Sequence, residues 1–135
     1  MNENHKRALT AYLYSIEKDL EIVQRTLEHD SMKSDHIFYT ITRDVRQSTK
    51  ADLLHAVSRM LDEIRTIKEK YQLQTENEST RRRISTTLSD IWITINEMRP
   101  KPLEGYGQVT ERDEEMLNSS VSRLLTILEE MYSSL

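Results

Sequence analysis

The sequence predicts an all-α fold, an antiparallel up-down four-helix bundle, on three observations. Both glycines and both prolines of its 135 residues fall between Pro100 and Gly107. These residues interrupt regular structure most strongly, and tight strand reversals depend on them, so the rest of the chain is free to run as long helices. Apolar residues recur at steps of three and four in four separate stretches, the rhythm of a helix that buries one face. Charged residues make up 31% of the chain against 36% apolar, a mixture that suits thin amphipathic helices sharing a core. A chain of this length is expected to be one domain, residues 1–135.

The first helix is predicted from about Glu3 to His29, with Leu9, Leu13, Ile16, Leu20, Val23 and Leu27 on its seam and Tyr12 widening it. The polar stretch from His29 to Ser34 reads as a short connection. The next apolar set is Ile37, Phe38, Ile41 and Val45. Its rhythm then meets Ser48, Asp52, His55 and Arg59, while the apolar signal resumes on a rotated stripe of Leu53, Leu54, Val57, Met60, Leu61, Ile64, Ile67 and Tyr71. Two readings fit this shift. The second helix is bent or split near Gln47 to Lys50, where Thr49 and Asp52 resemble a capping box, or one helix over 35–71 faces different neighbours along its length. The break is the preferred reading, since a continuous helix would run about 55 Å against about 40 Å for the first.

Residues 72–80 form a polar connection in which Thr75 and Glu78 offer another capping box. The third helix carries Ile84, Leu88, Ile91, Ile95 and Met98 on its seam, with Trp92 beside it, and Pro100 stops it. Residues 100–109 read as a loop. Thr110 with Asp113 caps the last helix, whose start gathers Glu111, Asp113, Glu114 and Glu115. Its seam is Leu117, Val121, Leu124, Leu128, Met131 and Leu135, widened by Leu125 and Tyr132. Doubled positions such as Leu53-Leu54, Ile91-Trp92 and Leu124-Leu125 give each helix a face broad enough for two neighbours.

Composition narrows function mainly by exclusion. The formal net charge is −4, which disfavours charge-driven binding of nucleic acid. The absence of cysteine removes disulfides, thiolate metal sites and cysteine nucleophiles. With a polar start and no apolar run of membrane-span length, the expectation is a cytoplasmic protein that meets no membrane.

The four histidines are His5, His29, His36 and His55, and none lies in the last two helices. Di-iron bundles use Glu-x-x-His pairs on facing helices. Only His55 has an acidic residue three positions earlier, Asp52, and no second copy exists. DNA-damage-inducible and hemerythrin-like bundles draw histidines from their later helices, so the chain departs from both. No metal and no cofactor is expected. Glu111 and Glu114 have the Glu-x-x-Glu spacing of all-α nucleotide pyrophosphohydrolases, yet no helix follows theirs, and Asp62 and Glu63 lack an acidic partner one turn on. Their plainer role is to complement a helix dipole and to stay solvated.

His55 is predicted to point away from the Val57 to Ile64 stripe, on a polar ridge with Asp52, Arg59 and Asp62. His55-Ala-Val-Ser58-Arg59 resembles the His-x-x-Lys-Gly pattern of bundle-type histidine phosphotransfer domains, with serine for the lysine and arginine for the glycine. That resemblance implies an exposed phospho-accepting imidazole. The plainer reading is an ionic ladder of i,i+3 and i,i+4 pairs.

Arg81, Arg82 and Arg83 stand at a helix start, where their charge opposes the macrodipole. Either they bridge to Glu129 and Glu130 at the end of the last helix, or they contact an anion. Ile37, Phe38, Tyr39 and Ile41 cover too much of a helix circumference for one bundle contact, and surplus apolar surface of this kind marks association. Leu103 and Tyr106 in the loop are further candidates for an interface. The expected function is therefore protein–protein interaction, as an adaptor, chaperone-like or regulatory protein or as a homodimer, without catalysis. A phosphotransfer module using His55 and a carboxylate-dependent all-α hydrolase stand as alternatives.

Overall fold

The computed structural model describes residues 1–30 and 36–135, and 76% of these are helical with no strand among them. In chain order the helices are α1 (Glu3–Glu28), α2 (Gln47–Lys70), α3 (Thr80–Glu97), the single turn α4 (Pro100–Leu103) and α5 (Glu111–Ser134). A 3-10 turn at Glu104–Tyr106 follows α4. The chain divides into two compact units, Met1–Thr75 and Glu76–Leu135. Residues 31–34 of the predicted first connection lie outside the described residues.

In the first unit α1 packs on α2. Asn2 caps α1 by accepting the His5 backbone N–H at 2.8 Å. The buried side chains are Leu20 and Leu27 from α1, Val57 from α2 and Leu73 just beyond it. Leu73 gets inside because α2 ends in a left-handed reversal. Gln72 has φ 53°, the Gln72 N–H donates to the Glu69 carbonyl at 3.2 Å, and the Leu73 N–H donates to the Lys68 carbonyl at 2.9 Å. This is the bonding pattern of a Schellman motif, with glutamine at the position glycine usually holds.

In the second unit α3 packs on α5, and α4 also touches α5. Leu88, Ile95, Val121 and Leu128 form its core, with Leu125, Tyr132 and Leu135 against it. The start of α3 meets the end of α5. Arg81 donates from Nη1 to the Leu135 main-chain oxygen, and Ser89 Oγ and the Tyr132 hydroxyl lie 3.0 Å apart. These two helices are therefore antiparallel.

Several sequence expectations need correction. The segment bearing Ile37, Phe38, Ile41 and Val45 is not helical, and α2 begins only at Gln47. Ile37, Thr40, Ile41, Thr42 and Val45 are β-branched, so this short stretch spends rotamer freedom in a helix that straight side chains keep. Arg46, not Thr49, holds the N-cap position of α2, and it makes no side-chain cap. For α3 the cap is Ser79, which accepts the Arg82 N–H at 3.2 Å, instead of Thr75. Glu78 instead meets Arg83 Nε at 3.0 Å. The Thr110 cap is present, accepting the Asp113 N–H at 3.2 Å. Residues 100–109 begin with helical turns: Pro100 occupies the first position of α4, where its missing N–H costs no hydrogen bond.

Each predicted seam also splits into two rows. In α3, Leu88 and Ile95 are buried while Ile84, Ile91 and Met98 are exposed. In α5, Val121 and Leu128 are buried while Leu124 and Met131 are exposed; Leu20 and Leu27 contrast with Ile16 and Val23 in α1. Leu53 and Met60 form the matching outer row of α2. One row faces the partner helix of the same unit, and the other is partly exposed.

Candidate interaction surface

The most exposed apolar side chains of the first unit lie where the helices stop. Ile37 is 92% and Phe38 95% exposed, with Tyr39, Ile41 and Val45 also on the outside. Burying a side chain of this size is worth roughly 1.5–3 kcal/mol, so this stretch forgoes a large stabilisation. A ring contact here is local: His36 and Tyr39 stack with centroids 3.9 Å apart and 15° between planes. Among the described residues, the main-chain groups of residues 37–42 make no backbone–backbone hydrogen bond. An exposed apolar run whose main-chain groups are not taken up by helix or sheet is the kind of surface that peptide recognition uses.

The structure separates the remaining candidates. Leu103 is half-buried at the end of α4, whereas Tyr106 is 93% exposed in the 3-10 turn. Only Tyr106 is presented outward. Gly107, with φ 142°, turns the chain beneath it towards the cap of α5.

Two of the three arginine side chains are engaged within their own unit, while Arg82 is exposed and only its backbone N–H bonds, to Ser79. Arg81 reaches the end of α5 and Arg83 pairs with Glu78, so the expected bridges to Glu129 and Glu130 are replaced by a main-chain acceptor and a local carboxylate. Arg81 lies near enough to offset the exposed carbonyls of a helix end, where a cation is favourable. Among the described residues, neither Glu129 nor Glu130 forms an ion pair.

His55 is exposed on α2, as are Asp52 and Arg59. Among the described residues the ladder expected around it does not form. Asp62 pairs with Arg65 at 2.6 Å, three residues further along. Among the described residues no group of three or more His, Asp or Glu side chains is placed to hold a metal ion. Glu111 and Asp113 sit in the first turn of α5, where they complement the helix dipole.

An open hollow of about 530 Å³ lies in the first unit, lined by Glu17, Ile64, Arg65, Lys68, Glu69, Gln72 and Leu73. Two carboxylates and two cations share it. Lys68 Nζ donates to Thr75 Oγ1 at 2.6 Å and Arg65 is held by Asp62, so both cations have partners nearby. The mixture of charges does not favour one class of ligand.

Sequence reading by helical steps missed how residues 37–45 are built. Ile37, Tyr39 and Ile41 occur at alternate positions, with Phe38 and Thr40 between them, and the series reaches Val45 only across Arg43. Alternation with β-branched and aromatic enrichment is a strand signal, and it sits beside the helical three-four spacing in the same residues. Comparison with protein-family models, characterised proteins and solved structures returns no match. No helix of the described residues is long and apolar enough to cross a membrane.

Proposed function

We propose that this chain works by protein–protein interaction, as a small adaptor, chaperone-like or regulatory protein acting without catalysis or cofactor. The observation that carries the reading is the exposure of Ile37 and Phe38, in a stretch over 37–42 that makes no backbone–backbone hydrogen bond among the described residues. The proposal includes the closing of α1, α2, α3 and α5 into one antiparallel up-down bundle across residues 1–135. The outer rows support it, because a helix in such a bundle touches two neighbours and needs apolar residues towards both. The segment over 37–41 is then surplus to the core and free for a partner. A chain without cysteine suits the reducing cytoplasm, the compartment we assign.

Site-specific photo-crosslinking in the native host tests the interface. A photoreactive residue replacing Phe38 is expected to give discrete adducts, whether to another protein or to a second copy. The same group replacing Glu63, an exposed residue of α2, is expected to give none. Equal adduct yields at the two positions would contradict the reading.

One observation favours a second reading: His55 is solvent-accessible, with the guanidinium of Arg59 one turn away on α2. A phosphotransfer role needs both an accessible imidazole and a nearby cation. Incubation with acetyl phosphate separates the two readings. Acid-labile phosphate that disappears in His55→Ala supports phosphotransfer, and the leading reading predicts no incorporation.

A further inference from the structure

Resting on the interaction reading above, we infer that the partner of this surface is an acidic protein: an apolar pocket for Ile37 and Phe38, bordered by carboxylates that meet Arg46 and Lys50. Charge carries the choice. Residues 36–50 hold Arg43, Arg46 and Lys50 against Asp44 alone, three cations less one carboxylate, in a chain whose net charge is −4. Arg46 is exposed and Lys50 half-buried, and among the described residues neither forms an ion pair. Asp52 does not serve Lys50, because residues two apart do not share a helix face.

The fold itself gives these cations no reason. A helix start carries partial positive charge, which acids complement and cations oppose. α1 opens with the Asn2 cap and Glu3, and α5 with the Thr110 cap and Glu111, Asp113 and Glu114. α3 has the Ser79 cap, and its Arg81 and Arg83 find partners within the unit. Of the four long helices, α2 alone starts with neither a side-chain cap nor an acid in its first turn, and Arg46 holds its cap position. Unpaired cations thus stand at the unfavourable end of a helix, directly after the most exposed apolar side chains of the unit. Carboxylates on a partner would offset both the cations and the helix dipole, while its pocket takes Ile37 and Phe38 out of water.

Other anionic surfaces fit less well. Recognition of an acidic membrane uses clusters of about 4–8 Lys and Arg, whereas here three cations are interrupted by Asp44. A polynucleotide meets the net charge of the whole chain, which repels it. Across a two-fold axis the patch of a second copy presents the same cations.

Photo-crosslinking from position 38 of the full chain in its native host, combined with charge reversal, tests the inference. Arg46→Glu with Lys50→Glu is expected to cut the yield of adducts to other proteins at least about tenfold, since like charges facing one another across an interface are strongly unfavourable. Arg82→Glu with Arg112→Glu changes the net charge equally at exposed positions of the second unit and is expected to leave the yield unchanged. The reversal at Arg46 and Lys50 places acids at the start of α2, so its thermal midpoint is expected to hold or rise. Lost recognition is thereby separated from lost folding. In host extract, raising salt from about 0.1 M to about 1 M is expected to lower the yield from the unaltered cations.

Undiminished adducts to other proteins after the reversal would overturn the acidic partner and leave the interaction reading standing. Adducts to a second copy alone would overturn it too. So would co-sedimentation of the purified chain with phosphatidylserine vesicles that the same reversal abolishes, which would assign the cations to lipid. No adduct from position 38 at all would remove both readings.

Discussion

The two helix pairs use similar helices and very different connections. Between α3 and α5 the chain concentrates its prolines and glycines, and the connection folds onto its own unit. Pro100 is buried, Leu103 is half-buried, and Gly107 supplies a φ of 142° that other residues rarely adopt. Between α1 and α2 the described part of the connection has neither residue, leaves its largest side chains in water and builds no structure of its own. The ends of the pairs differ similarly. In the second unit Arg81 at the start of α3 and Ser89 at its middle link to the end of α5, whereas the first unit closes its α2 end with the local reversal at Gln72 and the insertion of Leu73. A connection rich in conformational specialists serves the fold. One rich in β-branched and aromatic residues, placed among helices, leaves those side chains exposed, and the proposed function gives them a contact outside the fold.

Substitutions can break this comparison, beginning with the largest effect. Leu128→Ala empties part of the second unit's core and is expected to cost about 2–5 kcal/mol. Phe38→Ala, despite removing a larger side chain, is expected to stay within about 0.5 kcal/mol in dilute solution. Urea denaturation followed by circular dichroism and by Trp92 fluorescence compares the two, and equal losses would erase the distinction. Next in size, Gly107→Ala is expected to cost about 1–3 kcal/mol, because the added carbon forces a strained backbone region. Gly105→Ala, where nothing lies within 4 Å of that carbon, is expected to cost nothing measurable.

The caps come third. Ser79→Ala and Thr110→Ala each remove an acceptor from an orphaned helix N–H and are expected to lower stability by about 1 kcal/mol. Smallest, and opposite in sign, is Gln72→Gly. It relieves a non-glycine residue at φ 53° and is expected to gain about 0.4–1 kcal/mol net, read as a rise in the urea midpoint. A loss at this position would mean that the glutamine side chain contributes more than its backbone strain costs.

Much of the fold was legible because helix periodicity survives without tertiary information. The extents of α1, α3 and α5 follow from seams ending near His29, Pro100 and Leu135, and the Thr110 cap from its spacing to Asp113. The capping boxes at Thr49 and Thr75 failed because a Thr-x-x-acid spacing says nothing of which residue first leaves the helical region. Ser79 competes with Thr75 for α3, and Arg46 precedes Thr49 in α2. Which seam row turns inward was also hidden, since Ile84 and Leu88 satisfy the same periodicity and only packing separates them. At the candidate interface the residues Ile37, Phe38, Tyr39 and Ile41 stood out by size, but their geometry did not. Residues 37, 38, 41 and 45 satisfy helical spacing while 37, 39 and 41 alternate, and in so short a run β-branching weakens the helix without a strand forming among the described residues.

The central claim is that the first connection, not the second, is the part of this protein made to be covered by something else. Hydrogen exchange read by mass spectrometry on peptides spanning 36–46 and 98–110, for the purified chain alone and in extract of the native host, tests it most directly. The account predicts that 36–46 exchanges freely alone and becomes protected in the extract, while 98–110 is unchanged. Free exchange of 36–46 under both conditions, or protection in the extract confined to 98–110, would contradict it.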